Sequence, residues 1–226
     1  MTTDSNGKQE SQHKAGLRER IRNSLTTVIG YLIPLVMSAP GFYVGVMTLP
    51  FLFFLQRMFA APEAIFYLFF GGSIFEYLVQ SAGLVIIIYS VVFLLRNKSK
   101  GFVSSGPYGS VRHPQYLGLI LFTAVLTSRS VWVLTHTFGI GHLSYQETLI
   151  SWFLMVLAYF GLAIFEEHHL KREYQAEWAE YREDVGFLIP LIRNKRRWVE
   201  ILGTFAVLAG LMAVLLIANG TLLWFY

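Results

Sequence analysis

Long apolar stretches separated by short polar segments dominate this sequence. The five stretches cover residues 24–55, 64–95, 115–134, 148–165 and 199–226. An α-helix rises about 1.5 Å per residue, and the hydrocarbon core of a bilayer is about 30 Å thick. Each stretch is therefore long enough to cross a membrane as a helix. The pattern predicts an all-α, polytopic membrane helical bundle of about five transmembrane helices.

The first stretch is too long for one perpendicular crossing. It contains Pro34, Pro40 and Pro50, and the turn-like sequence SAPG at 38–41. Proline removes a backbone donor and bends or ends a helix. Residues 24–55 are therefore expected to form either one kinked helix or a tight hairpin.

A different periodicity follows the fourth stretch, in the charged segment 168–185. Five apolar residues recur there at spacings of three or four: Leu170, Tyr174, Trp178, Tyr181 and Val185. This spacing places them on one face of a helix whose other face is charged. The segment is predicted to be an amphipathic helix lying on the cytoplasmic membrane interface.

Composition supports a membrane protein. Of 226 residues, 54% are hydrophobic and only 14% are charged, which is too apolar for a soluble domain of this length. The first 23 residues form a basic tail, and no linker interrupts the rest, so residues 24–226 are expected to form a single membrane domain. The sequence has no cysteine, which excludes disulfides and thiolate chemistry.

The distribution of positive charge predicts the topology. Sixteen of the eighteen Lys and Arg lie in 1–23, 96–112 and 171–197. By the positive-inside rule these three segments face the cytoplasm. Residues 24–55 then cross the membrane an odd number of times, most simply once. The protein is expected to be a multi-pass integral membrane protein with the N-terminus inside and the C-terminus on the opposite side.

One acidic residue lies within an apolar stretch. Glu76 occurs with Tyr77 and Gln80, between Gly72 and Gly83. Ionisable residues inside a membrane are costly and tend to face a bundle interior or a cavity. Glu76 is expected either to lie protonated or near the outer membrane edge, or to form a polar spot low in a substrate channel. The glycines would allow close helix packing.

The polar sequence SSGPYGSVRHPQYLG at 104–118 is the main candidate for chemistry. Its glycines and prolines indicate a stiff loop that leads directly into the third apolar stretch. A planar cation, an imidazole and two phenols lie within nine positions: Arg112, His113, Tyr108 and Tyr116. Such a set suits a ligand that carries a carboxylate and an adenine-like ring.

Two sequence blocks carry a family resemblance. The pattern G-x-Y-x-x-x-R-H-P-x-Y-x-G at 106–118, and the segment EEHHLKREYQAEWAEYREDVGFLIP at 166–190, resemble the two signatures of the isoprenylcysteine carboxyl methyltransferase and phospholipid N-methyltransferase superfamily. The resemblance covers about 64–190, a motif-bearing catalytic core, and leaves 199–226 as an extra C-terminal transmembrane helix. It implies an integral membrane methyltransferase that depends on S-adenosyl-L-methionine.

The resemblance also implies site residues. The positions that match cofactor contacts are Gly101, Phe102, Val103, Tyr108, His113, Pro114, Gln115, Tyr116 and Glu166. The candidates for catalysis are Arg112, His113 and Glu167, and which of the two glutamates faces the cofactor is left open. No metal site is predicted, because a lone Glu166-x-x-His169 is half of a di-iron motif.

The expected acceptor is a lipid, or a lipidated small molecule or peptide, that arrives from the bilayer. Carboxyl O-methylation of a prenylcysteine-like substrate and N-methylation of an aminophospholipid both remain open. The eukaryotic prenylcysteine enzymes have an arginine where this chain has Leu162, and this difference weighs against the first. The only other expected partners are membrane lipids, with no nucleic acid, and the oligomeric state is open.

Two alternatives belong to other functional classes. The Arg-His-Pro-x-Tyr-x-Gly pattern is similar to that of NADPH-dependent membrane reductases of the steroid reductase type. Those sequences have Asn at the position of Gln115 and an acidic residue at that of Leu119. The other alternative is a catalytically silent membrane scaffold, in which Arg112, His113 and Glu166 affect only stability.

Overall fold

Helices account for most of the structure. The computed structural model describes residues 49–53, 55–56, 65–97, 101–136, 144–194 and 196–220. Contacts within the chain separate Met1–Leu49 from Pro50–Tyr226, and the helices named below all belong to the second unit. The described residues of that unit are helical apart from loops, a 3-10 turn at Gly106–Gly109 and one isolated β-bridge. The all-α prediction is therefore confirmed for the described part of the chain.

Four of the helices match predicted spans. The helices are α1 at Ile65–Phe70, α2 at Ile74–Asn97, α3 at Pro114–His136, α4 at Tyr145–Asp184 and α5 at Arg197–Ala218. All but α1 are long and apolar enough to cross a membrane. The total of five spans, and the choice between a kinked helix and a hairpin, depend on residues 24–48, which lie outside the described residues.

The third helix, α3, lies at the centre of this unit. It packs against α1, α2, α4 and α5. About two thirds of its apolar window, 67%, is buried, against 17% for α2. The outward residues of α2 are large and apolar, such as Leu78, Val85 and Ile88, as expected for a helix that faces lipid.

The backbones of α2 and α3 touch where two glycines meet. A Cβ atom on Gly83 would lie 2.8 Å from the carbonyl oxygen of Gly118, and one on Gly118 would lie 2.7 Å from that of Gly83. No side chain fits between the helices here. Small residues allow this approach, as expected for membrane helices that pack closely.

The bundle has two polar ends. We call the end where α2 finishes and α3 and α5 begin the motif end, because it carries residues 104–118, and we call the other the far end. Glu76 lies at the far end, where its carboxylate accepts hydrogen bonds from the Ser73 backbone, at 2.8 Å, and from the Ser128 hydroxyl, at 3.0 Å. It is fully buried.

Arg129 accompanies Glu76 at the far end. Its Nη1 donates to the carbonyl oxygens of Leu68 and Phe69, which end α1, and to the side chain of Gln80. Its Nε lies 4.0 Å from Glu76 Oε2. The two side chains therefore hold the α1–α2 connection against α3, and both oxygens of Glu76 have partners within the protein.

The fourth helix is 40 residues long and contains one kink. It begins at a capping box formed by Ser144 and Glu147, and its direction breaks at Gln175, where φ is 24° and ψ is −88°. The sequence pattern predicted a span at 148–165 and an amphipathic helix over 168–185. The helical backbone continues from one to the other, and neither Gly nor Pro occurs between residues 162 and 184.

Candidate functional site

The two motif blocks meet through their backbones. The Arg112 amide donates to the carbonyl oxygen of Gly186 at 2.9 Å, and Val111 forms an isolated parallel bridge with Gly186. A Cβ on Gly186 would lie 2.3 Å from the Ile189 carbonyl oxygen, so only glycine fits this turn. The loop before α3 is thereby fixed against the segment that follows α4.

His113 lies between the paired glutamates of α4. Its Nδ1 is 3.3 Å from Glu166 Oε2, and its Nε2 is 3.5 Å from Glu167 Oε1. The Tyr116 hydroxyl donates to Glu166 Oε1 at 2.6 Å. The sequence placed these residues in two blocks about fifty positions apart, and the structure brings all four into one cluster.

The cluster changes the proton affinity of the imidazole. Burial alone would lower the pKa of His113, because it penalises the charged form. The close contacts with Glu166 and Glu167, and the negative charges of both, outweigh burial and raise this pKa above its ordinary value. His113 is therefore a titratable group held between two carboxylates.

The two glutamates differ in their surroundings. The Glu166 side chain retains 21% of its accessible surface, and its partners are an imidazole and a phenol. Glu167 retains 3% and lies among cations, with Arg112 Nε 3.0 Å from one oxygen and Arg197 bonded to the other. Glu166 is thus the more accessible carboxylate, and Glu167 is the buried counter-ion.

Each nitrogen of the Arg112 guanidinium lies near a protein oxygen, and two of the three donate hydrogen bonds. Nε faces Glu167, Nη1 donates to the Arg182 carbonyl oxygen at 3.3 Å, and Nη2 donates to Glu200 Oε2 at 2.6 Å. The ring of Phe187 lies below it, with its centroid 5.7 Å from the guanidinium carbon. Arg112 is buried, and its guanidinium forms ion pairs with Glu167 and Glu200.

Two residues of the network, Arg197 and Glu200, were not predicted from the sequence. Glu200 is buried and also accepts a hydrogen bond from the Phe187 backbone N–H at 2.9 Å. Both residues belong to the first turn of α5, which lies outside the family resemblance. The available signal was an acidic residue in the first turn of a predicted membrane helix, where ionisable groups usually have a specific partner.

Tyr108 and the amphipathic part of α4 close the site on one side. The Tyr181 hydroxyl donates to the Tyr108 carbonyl oxygen at 2.7 Å. Burial raises the pKa of Tyr108, and the charge of Glu166 raises it further, so this phenol remains neutral. Trp178, Tyr181 and Val185 pack around Phe102. The predicted apolar face thus contacts residues 101–113, which we call the motif loop. The location of this face on a membrane surface stays a prediction.

An open groove lies beside this aromatic cluster. Its volume is about 470 Å³, and its lining comprises Phe102, Ser104, Gly109, Glu177, Glu180, Tyr181, Asp184 and Val185. Pockets for small ligands typically measure about 300–1,000 Å³. The groove combines aromatic surface with three carboxylates, a set of groups suited to a cationic ligand.

The remaining predicted cofactor residues precede or follow the Arg112–His113 pair in the chain. Pro114 begins α3, where its missing N–H costs nothing. Gln115 is buried, and its Oε1 has no hydrogen-bond partner among the described residues. Val103 is half-buried, while Gly101 is exposed with a φ of +99°, a conformation that favours glycine. Among the described contacts, neither Gly101 nor Val103 touches the cluster of His113, Tyr116, Glu166 and Glu167.

Comparisons with family models, with curated proteins and with solved structures find no match to this chain. The superfamily resemblance therefore depends on the residues of the two motif blocks themselves.

Proposed function

We propose that this protein transfers a methyl group from S-adenosyl-L-methionine to a lipophilic acceptor at the membrane interface. The observation that carries the proposal is the meeting of the two motif blocks. His113 and Tyr116 of the first contact Glu166 of the second, although 50 residues separate Tyr116 from Glu166. Residues selected only for their resemblance to a cofactor site thus share one location.

The groups around this location fit such a cofactor. Gln115 Oε1 is a buried acceptor without a partner among the described residues, and Glu166 is a partly accessible carboxylate. Both could accept hydrogen bonds from an ammonium group or from ribose hydroxyls. Phe102 and Tyr181 offer aromatic surface in the groove that Gly109 of the first motif block also lines. When bound, the cofactor would supply a methyl group activated by a positively charged sulfur.

The side chains of this protein would then mainly align the acceptor and exclude water. Methyl transfer from a sulfonium needs an in-line approach, and correct placement in a dry site supplies much of the acceleration. Tyr116 and Glu167 are buried close to His113, so the polar cluster is shielded from solvent. No general base is needed for an acceptor that is already ionised.

The contacts of Arg112 favour an amine over a carboxylate as the acceptor. Nη1 and Nη2 donate hydrogen bonds to protein oxygens, Nε lies 3.0 Å from Glu167 Oε1, and Leu162 supplies no cation one turn before Glu166. An amine must lose a proton on methylation, and His113 in its neutral form can take it, with Glu167 as the fixed counter-charge. N-methylation of an aminophospholipid is therefore the more favoured of the two proposed reactions.

Titration calorimetry of the detergent-purified protein tests the proposal. S-adenosylhomocysteine should bind, NADPH should not, and His113→Gln or Glu166→Gln should weaken binding about tenfold or more. His169 and Glu173 provide matched controls, because they form an exposed His–Glu pair at 3.3 Å on the same helix as Glu166. Binding in His169→Gln and Glu173→Gln should be unchanged.

The opposite results have distinct meanings. Binding of NADPH without S-adenosylhomocysteine would replace the methyltransferase proposal with a reductase. If neither ligand binds, the protein is better explained as a scaffold. Once binding is established, transfer of a labelled methyl group to aminophospholipid or to prenylcysteine in mixed micelles would identify the acceptor.

A further inference from the structure

We propose that Glu200 of α5 is a positioning residue of the site, acting through Arg112. The proposal rests on the proposed function in one respect: the site that Glu200 organises is taken to be the methyl-transfer site. The Glu200 carboxylate fixes the Arg112 guanidinium. The position of Arg112 then determines how closely Glu167 approaches His113.

Glu200 joins the two motif blocks with its two oxygens. Oε2 accepts a hydrogen bond from Arg112 Nη2 at 2.6 Å, and Oε1 accepts one from the Phe187 backbone N–H at 2.9 Å. Its side chain retains 3% of its accessible surface. Charge-assisted hydrogen bonds shielded from water in this way are among the stronger polar contacts in proteins.

Arg112 and His113 share one oxygen of Glu167. Arg112 Nε lies 3.0 Å from Glu167 Oε1, and His113 Nε2 lies 3.5 Å from the same atom. Without Glu200, the buried Nη2 would lose its charged partner, and the guanidinium would be drawn towards Glu167. A closer Arg112–Glu167 contact would weaken the contact of that oxygen with the imidazole.

The first turn of α5 contributes a second charge to the same network. Arg197 bonds to the other oxygen of Glu167. The helix α5 therefore supplies Arg197 to the buried Glu167 carboxylate and Glu200 to the buried Arg112 guanidinium. This reciprocal pairing indicates that α5 is part of the site, although it lies outside the residues that carry the family resemblance.

A double-mutant cycle separates positioning from direct electrostatic action. Glu200→Gln retains the size of the side chain but removes its charge and leaves one oxygen, so the Phe187 N–H and Arg112 can no longer each have their own acceptor. It is made alone and together with Arg112→Gln. Thr204→Val is the matched control, because Thr204 is buried one turn further along α5, and its hydroxyl has no partner among the described residues. If Arg112→Gln does not fold, Arg112→Met replaces it, because it also removes the cation that pairs with Glu200.

Two measurements are made on each variant in detergent. The pKa of His113 is measured by NMR of histidine-labelled protein without ligand, and the dissociation constant for S-adenosylhomocysteine is measured by calorimetry. Glu200→Gln should lower the His113 pKa and weaken binding about tenfold or more. Both effects should be much smaller in the Arg112→Gln background, and Thr204→Val should show neither.

Other outcomes overturn one of the two proposals. The positioning role is wrong if Glu200→Gln matches Thr204→Val, or if its effects are equal in both Arg112 backgrounds, since Glu200 would then act only through its own charge. If the wild-type protein binds no S-adenosylhomocysteine but the His113 pKa still responds through Arg112, the methyltransferase proposal fails and the positioning role stands.

Discussion

Arg112 and His113 are adjacent in the chain, yet their side chains have different electrostatic surroundings. Arg112 is held on three sides by Glu167, Glu200 and the Arg182 carbonyl oxygen. His113 faces two carboxylates and can gain or lose a proton. A guanidinium stays charged at all accessible pH values. Changes of pH near neutrality therefore act on this pair through the imidazole.

The raised pKa of His113 leads to a pH-dependent contribution to stability. Its pairing with Glu166 and Glu167 stabilises the folded state fully below the unfolded-state pKa of about 6.5. That contribution is lost as the pH rises through the higher folded-state pKa. The difference in thermal midpoint between the wild type and His113→Gln should therefore be larger at about pH 6 than at about pH 9.

Thermal unfolding in detergent, followed by circular dichroism at both pH values, measures this difference. His169→Gln removes an exposed imidazole from its pair with Glu173 and controls for the loss of a histidine. A difference that is constant with pH, or that grows as the pH rises, would show that the carboxylates do not stabilise the charged imidazole.

At the scale of the helices, the contact between α2 and α3 is the most sensitive to side-chain size. Gly118→Ala would place a methyl group 2.7 Å from the Gly83 carbonyl oxygen, so the two backbones would have to separate. Overpacking of this kind costs about 1–3 kcal/mol. Gly118→Ala should lower the free energy of unfolding by about this amount.

Gly161→Ala is the matched control for this prediction. Gly161 lies in α4, and a Cβ there would meet nothing within 4 Å. Alanine is the better helix former by about 1 kcal/mol, so this change should leave stability equal or increase it. Chemical denaturation in mixed micelles measures both variants, and equal effects would contradict the close contact between α2 and α3.

Element positions were predictable because spans and loops differ strongly in polarity. The apolar stretches at 64–95, 115–134, 148–165 and 199–226 correspond to helices of the structure. The kink at Gln175 was not predicted, because a change from apolar to charged residues marks a membrane boundary and does not show where a helix bends. Hydrogen bonding of the backbone continues past 168 as far as Gln175.

The site was predictable only in part, for a related physical reason. His113 and Glu166 lie in sequence blocks whose pattern resembles a known signature. Glu200 and Arg197 have no such pattern, and their role depends on contacts across 88 and 30 residues. Glu76 was recognised as an unusual residue, but nothing in the sequence linked it to Arg129, because pairing between helices depends on their packing.

At the scale of the whole molecule, the described helices predict which segments share a side of the membrane. Ser105 is exposed in the motif loop, and Gln146 is exposed at the start of α4. If α3 crosses the bilayer, these positions lie on opposite sides, and the positive-inside rule places Ser105 in the cytoplasm. Because the sequence contains no cysteine, Ser105→Cys and Gln146→Cys can each be labelled uniquely.

A membrane-impermeant maleimide added to intact cells should therefore label Gln146→Cys and leave Ser105→Cys unlabelled until the membrane is opened. The wild-type chain is the background control. Labelling of both cysteines from outside would contradict a membrane-spanning α3, and the reverse pattern would invert the predicted topology.

The ion pair between Glu200 and Arg112 also has a consequence for biosynthesis. The two residues are 88 positions apart, so α3 and α4 leave the ribosome before the last carboxylate of the network exists. Until α5 is made, Arg112 has Glu167 as its only acidic partner within this network, and Glu167 lacks Arg197. The motif end is therefore completed late in translation, and insertion of α5 is the step that closes it.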